Sequence, residues 1–482
     1  LNFSEIGLVA LGVYILGLLC VGEIAKRSRT DQSPSDHFLG ARELGGFVLF
    51  LTLYATAYSG NSLLGYPGKA YRVGFSFIMS TGFMMAIIVV FHVLVPRLRP
   101  AAIQRGYVTP GDWIRDRFAG ERATGPLTAA VGLLMILALA NFLLAQLKAM
   151  GEVASLVTGD LIPYGWGVVG LAAMILYYET RGGMRAVAWT DAAQGILMVI
   201  GLTTLLAWLL TASGGLAEMT RAVASVRPDA VEIPDARGNA NWFSTIALLG
   251  LASVIYPQAI QRVYAARSGK ALTRSFALMT FMPLMTTLVV TLIGIAAIPR
   301  LDVLSGAASD GVMPTLLREW ASQGAASQAA AILVFLGALS AIMSTADSCL
   351  LSLGSVTARD ALGRVGENRE NTRFGKLLAG LILLGIIPLA LQRDLTLWRL
   401  IELKMELLIQ CVPSFLLAIH WARQSAAATL AGLLVGTLFG VVLTLAGIPT
   451  LGGIHVGVLG LVLNTAVVIA GSLLGAAPRG RE

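Results

Sequence analysis

Charge is scarce in this chain. Asp, Glu, Lys and Arg make up only 13% of its 482 residues, about half the share usual in a soluble domain. Cysteine is scarcer still, with Cys20, Cys349 and Cys411 all in apolar stretches, so no disulfide framework is implied. His37, His92, His420 and His455 are far apart and no H-E-x-x-H occurs, which argues against an intramembrane metalloprotease. The absence of G-x-x-x-x-G-K-[ST] argues against an ATP-driven pump. No enzymatic activity is expected. The first apolar stretch, about 6–22, has neither a basic leader nor a cleavage site, so it reads as a span and not as a secretory signal. What abounds is hydrocarbon. The chain is 56% hydrophobic with mean hydropathy +0.76, the signature of a polytopic membrane protein.

About thirteen spans can be drawn, at 6–22, 46–70, 74–95, 126–158, 162–178, 189–210, 242–264, 271–298, 328–358, 376–392, 397–420, 426–446 and 454–475. With the N-terminus outside, and with Lys and Arg at span ends counted with the adjoining segment, the inside segments carry 24 Lys and Arg and the outside segments 9. The inner basic residues cluster at 26–29, 97–122, 262–274 and 359–376. This bias predicts an outside N-terminus and a cytoplasmic C-terminus, in a multi-pass protein expected in a bacterial inner membrane. The net charge of +8 is then topological, and nucleic acid is not an expected partner. No obligatory protein partner is visible; the lipid bilayer is the expected surrounding.

Polar residues inside the spans carry the functional information. The stretch from Ala338 to Ser352 holds six hydroxyl or carboxyl side chains, among them Ser344, Thr345, Asp347 and Ser348. In hydrocarbon these should face protein or an aqueous cavity. Ala341, Ser344 and Thr345 share a helix face at i, i+3 and i+4. Uncharged oxygen ligands of this kind suit a weakly held monovalent cation and not zinc. The same residues could simply be a small-residue helix contact. Asp347 tilts the reading toward function, because an intramembrane carboxylate is costly.

Two spans look interrupted. The second holds Tyr58-Ser59-Gly60-Asn61-Ser62 and Gly65-Tyr66-Pro67-Gly68 in its centre, and the span at 242–264 holds Tyr256-Pro257-Gln258. Broken helices of this kind expose backbone to an ion or substrate, although a kinked packing helix has the same composition. Their separation by five spans fits an inverted repeat, 46–210 and 242–420, in a single transporter domain. The extra pieces would be an N-terminal helix at 6–22 and two C-terminal helices at 426–475. The longer outer segments 211–241 and 299–327 read as vestibule lids or plain surface helices, and 359–375 as a solvated connector.

Three motifs make the chain resemble the sodium:solute symporter family, which includes the sodium–glucose, proline and pantothenate transporters. They are Phe38-Leu39-Gly40-Ala41-Arg42 with the second-span motifs above; Arg181-Gly182-Gly183-Met184-Arg185-Ala186-Val187-Ala188-Trp189-Thr190-Asp191-Ala192-Ala193-Gln194; and Met343-Ser344-Thr345-Ala346-Asp347-Ser348 through Ala358-Arg359-Asp360. The resemblance implies an all-α, LeuT-like 5+5 inverted repeat with one extra N-terminal and two extra C-terminal helices. It implies a Na+ site formed by Ser344 and Thr345 side chains with the carbonyls of Ala55, Tyr58 and Ala341. It places Asp191, with Asp347 and Ser348, at a second cation site or in coupling, with a second sodium and a proton both open.

By family position Ser59, Gly60, Asn61, Ser62, Asn141, Gln146, Tyr256 and Gln258 would read the solute. Lys148 would meet a solute carboxylate, neutralise Asp191 or Asp347, or snorkel outward. Glu402 and Glu406 share a face, with Lys404 pointing elsewhere, and line the vestibule or pair with Arg399. An intramembrane lysine and scattered amides favour a small carboxylate or amino acid over a sugar. The expected activity is sodium-coupled symport of that solute by alternating access. The alternatives are a symporter-like sensor domain, proton-coupled uptake, or a sodium leak.

Overall fold

A computed structural model describes residues 3–27, 38–39, 42, 44–366 and 369–475. Gly40 and Ala41 of the first motif lie outside these. The chain is built of helices: α1 (Phe3–Arg27), α2 (Gly46–Ala57), α3 (Tyr66–Val73), α4 (Met79–Arg105), α5 (Pro110–Arg117), α6 (Thr124–Thr158), α7 (Tyr164–Ala212) and α8 (Leu216–Val226). There follow α9 (Ala236–Ala252), α10 (Pro257–Ala265), α11 (Gly269–Met279), α12 (Leu288–Ala296), α13 (Val312–Ala321) and α14 (Ala325–Val356). The last are α15 (Arg369–Ala390), α16 (Leu397–Leu408), α17 (Ala426–Leu445) and α18 (Val456–Leu474). Among the described residues nine segments are long and apolar enough to cross a membrane, and Phe3–Gly17, Gly46–Ala57 and Tyr164–Tyr177 are shorter apolar helices.

Both interrupted spans are broken. α2 ends at Tyr58, whose backbone is extended (φ −107°, ψ 96°). A wide π turn, Asn61–Gly65, then leads into α3. α9 runs through a 3-10 turn, Ser253–Ile255, to an extended Tyr256 (φ −55°, ψ 127°), and α10 restarts with a proline in its first turn. Proline fits there because the first helical N–H has no intrahelical partner to lose. At the far end of α3, Gly74 has φ +65°, and any Cβ would strike the Ala230 carbonyl, so only glycine makes this turn into α4.

α14 is the axis. Its apolar window is 72% buried, against 33–56% for the other spans. Small residues make this possible by letting backbones approach. A Cβ on Gly354 would lie 2.9 Å from the Gly375 carbonyl of α15, and one on Gly337 would lie 3.2 Å from the Leu197 carbonyl of α7. α7 is assigned as one helical run of 49 residues containing the expected spans 162–178 and 189–210. Tyr164 at its start bonds the Ala390 carbonyl. Just past its end Ser213 bonds Arg300, which pairs with Glu319 of α13. α13 in turn follows Gly311, whose Cβ would touch Leu156 beside the α6–α7 turn.

Within the segment 299–327 the stretch 309–317 is packed into the protein, whereas Asp302, Val303 and residues 322–326 are exposed. Ser309 and Asp310 are buried. Ser309 accepts a hydrogen bond from Arg72 of α3, and the Leu397 amide donates to Asp310 Oδ2 at 2.7 Å. α3 itself is held between two glycine contacts. A Cβ on Gly68 would lie 2.6 Å from the Ser309 carbonyl, and one on Gly294 of α12 would strike the Pro67 carbonyl.

The expected solvated connector at 359–375 requires correction at its start. Arg359 and Asp360 are buried. Asp360 accepts from Thr109 Oγ1 (2.6 Å), the Gly111 amide (3.0 Å) and Arg115 (3.0 Å), and Arg359 pairs with Asp112 at 3.3 Å. These bonds tie α14 to α5, because a buried charge is tolerated only when it is paired and hydrogen-bonded.

Candidate functional site

The break in α2 frees backbone acceptors. Within a helix the Ala55 carbonyl would receive the Ser59 amide and the Tyr58 carbonyl the Ser62 amide. Instead the Ser59 amide turns toward Ser62 Oγ (3.4 Å) and the Ser62 amide toward the Ser59 carbonyl (2.9 Å). The Ala55 carbonyl meets Ser344 Oγ of α14 at 3.0 Å, and the same hydroxyl lies 3.4 Å from the Ala341 carbonyl. Thr345 Oγ1 is fully buried beside them and has no hydrogen-bond partner among the described residues. Burying a hydroxyl unpaired is costly. Helix-end carbonyls with two hydroxyls form a neutral oxygen cluster, and the C-terminal end of α2 adds a partial negative charge.

Asp191 has a partner that the sequence did not reveal. Arg262 of α10 donates Nη2 to Asp191 Oδ2 at 3.0 Å, with both side chains fully buried. Arg262 also donates Nε to Thr52 Oγ1 (3.0 Å) and Nη2 to Ser348 Oγ (2.6 Å), and Thr52 donates to Asp191. Ser348 Oγ in turn donates to the Ser344 carbonyl at 2.7 Å. A ring of bonds therefore joins α2, α7, α10 and α14, and it shares a turn of α14 with the hydroxyl pair. Asp347 is buried on that same turn.

The expected solute residues divide. Ser59, Asn61, Ser62, Tyr256 and Gln258 line one cavity beside the two breaks, of about 900 Å³ with open solvent included. Gly60, Asn141, Gln146 and Lys148 do not line it. Gln146 Oε1 instead accepts the Gly60 amide at 2.9 Å, and a Cβ on Gly60 would strike Ile342 and Gln146. Asn141 is half-buried on α6. Lys148 is buried, and its ammonium donates to the Gln392 carbonyl beyond α15. Glu402 and Glu406 both pair with Arg399, at 3.0 and 3.2 Å. The cavity holds a cation, Lys404, that the sequence turned away from the face of Glu402 and Glu406 without assigning it to the solute. Lys404 lines it, 2% exposed, with Nζ 3.2 Å from the Phe142 ring centroid. Its offset of two residues from each glutamate was the available signal, because it turns the ammonium to the opposite face of α16.

Above the cavity, burial pushes the Asp310 carboxyl up from its ordinary 3.8 to about 7. The Leu397 amide, Arg72 and Lys148 oppose the shift, and Glu152 adds to it. Buried Asp310 thus holds a proton that a solvated carboxyl would release. That contribution is complete below the ordinary carboxylate value and is lost as pH rises through about 7. Raising the pH from about 6 to about 8 is expected to loosen the packing of Ser309 and Asp310 against α3 and α16, with Asp310→Asn abolishing the dependence. Spin-label distances between α3 and α13 at the two pH values check this. An equal pH response in the variant would assign it to another group.

A model of the sodium:solute symporter family matches residues 37–436. The sodium/pantothenate symporter of Escherichia coli (strain K12) is 27% identical over 97% of this chain and 96% of its own length. The sodium/proline symporter of the same organism is 25% identical over 98% and 93%. Among solved structures, a Na+-coupled sialic acid symporter in a substrate-bound outward-open state superposes with a TM-score of 0.79 at 18% identity, covering 99% of both chains.

Proposed function

The chain belongs to the sodium:solute symporter family, and on that premise we propose that it takes up a small carboxylate or amino acid together with Na+ by alternating access. Its LeuT-like fold and its relatives, named for pantothenate and proline, support this reading. The observation that carries it is the meeting of the α2 break with α14, where Ser344 touches the Ala55 carbonyl and Thr345 keeps an unpartnered buried hydroxyl. We assign the Na+ ligands to the carbonyls of Ala55, Tyr58 and Ala341 and the hydroxyls of Ser344 and Thr345. The charge of Asp191 is already balanced by Arg262. The ring through Ser348 therefore favours a coupling role for Asp191, with Asp347 alongside, over a second cation at Asp191. Ion and solute favouring one conformer is then the whole of the coupling. The distribution of Lys and Arg supports an outside N-terminus and a cytoplasmic C-terminus.

The test is thermal stability of the purified chain in sodium and in potassium, with pantothenate, proline and glucose as probes. A ligand that binds only the folded state adds about 2.7 kcal/mol at a hundredfold excess over its Kd. Sodium is expected to stabilise the chain, and a transported solute to stabilise it further in sodium only. Equal stability in the two cations at every solute overturns the reading.

A further inference from the structure

Among the described residues Lys404 is the one charged side chain that lines the cavity, and the sodium reading leaves it unused. Lys404 is almost wholly buried, at 2% exposure. Its ammonium sits over Phe142, and Tyr256, which stacks on Phe142 at 5.3 Å, is 5.7 Å away. Among the described residues no carboxylate pairs with it, and none lines the cavity. The nearby Glu402 and Glu406 are engaged by Arg399. An unpaired buried cation is costly, and an arriving anion relieves that cost. Around it stand polar atoms that also lack partners, namely both amide atoms of Asn61, Gln258 Oε1 and the Tyr256 hydroxyl. One wall of the chamber is apolar, made by Met84, Ile87, Ile88 and Phe91 of α4 and by Phe276 and Met279 of α11.

We propose that Lys404 anchors the solute through a single carboxylate and that the solute is a monocarboxylate with an apolar body and no ammonium group. The proposal rests on the transport reading and deepens it. The carboxylate takes the ammonium face that points away from Phe142, the Asn61 and Tyr256 groups supply further donors, and the apolar body fills the space between α4 and α11. An α-ammonium finds no counter-charge there. A sugar would leave the ammonium unanswered.

The experiment measures thermal shifts of the purified full chain with hexanoate and 3-phenylpropionate, against hexanamide and 3-phenylpropanamide, in sodium and in potassium. The acids are expected to raise the melting temperature and the amides to leave it unchanged. Lys404→Met is expected to weaken acid binding at least tenfold, and Lys404→Arg to retain it. Acids and amides acting alike, acids without effect, or Lys404→Met binding acids as the parent chain does would each overturn the proposal. Were Lys404→Met not to fold, the contrast between acid and amide in the parent chain decides. A sodium shift without an acid shift overturns this proposal and spares the transport reading. An acid shift lost in Lys404→Met but equal in both cations supports it and counts against sodium coupling.

Discussion

The Ser344→Ala, Thr345→Ala double variant is expected to lose sodium dependence while staying folded. The two hydroxyls are two of the five oxygens assigned to the ion, and no other side-chain oxygen is in that set. Coupling energies of about 1–3 kcal/mol correspond to roughly 5–150-fold in affinity, so removing two ligands should weaken apparent sodium affinity by at least about tenfold. The structural cost is smaller. Ser344 gives up its bond to the Ala55 carbonyl, worth about 1 kcal/mol. Thr345 gives up no bond, since its buried hydroxyl has none. Thr345→Ala alone should therefore leave stability in potassium unchanged or raised while weakening sodium binding. Sodium titrations of melting temperature, with sodium-driven uptake into proteoliposomes, read both quantities. Unchanged sodium dependence in the double variant would remove these residues from the ion site.

Asp191→Ala should unfold the protein more readily than any other substitution considered above. Arg262 and Asp191 are both fully buried and bonded at 3.0 Å. Removing one partner of a buried pair leaves the other uncompensated, at about 3–5 kcal/mol. Arg262→Met added to Asp191→Ala should recover much of that loss, because no charge is then stranded. Transport is a separate readout. If the ring through Thr52 and Ser348 links the ion site to α10, the double variant stays stable yet couples sodium poorly. Proteolysis of the detergent-solubilised chain in graded denaturant measures the first quantity and uptake the second. A cost below about 1 kcal/mol for Asp191→Ala would resemble an exposed pair instead.

The features that were legible in the sequence are local ones. The face of Ala341, Ser344 and Thr345 follows from helix periodicity, and the breaks at Tyr58 and Tyr256 from clusters of Gly, Pro and polar residues. The partner of Asp191 lies 71 residues away, and no spacing rule reaches that far. Lys148 and Lys404 show why depth is an incomplete guide. Both sit well inside an apolar span, and the sequence gives how deep each lies but not what its ammonium meets. Lys148 found a loop carbonyl at Gln392, whereas Lys404 found the Phe142 ring. Arg359 and Asp360 looked like part of a solvated connector because charge in a loop usually is. Their burial depends on Thr109, Gly111, Asp112 and Arg115, brought in from another part of the chain.

The glycine contacts on either side of α3 bear on speed. Interlocked side chains must leave their rotamers before two helices can shift, because packed interiors resist continuous deformation. At Gly68 against Ser309, and at Gly294 against Pro67, backbone meets backbone, with only the Asp310 carboxyl and the Ala70 methyl beside the contacts. Such a joint is a bearing and not a ratchet. What ties α3 at its rim is then a short set of polar bonds, from Arg72 to Ser309, from the Tyr71 hydroxyl to the Asp302 carbonyl and from Arg227 to the Tyr71 and Arg72 carbonyls. The opening rate should follow those few polar bonds, and a methyl group at position 68 would jam the bearing without touching the ion or the solute.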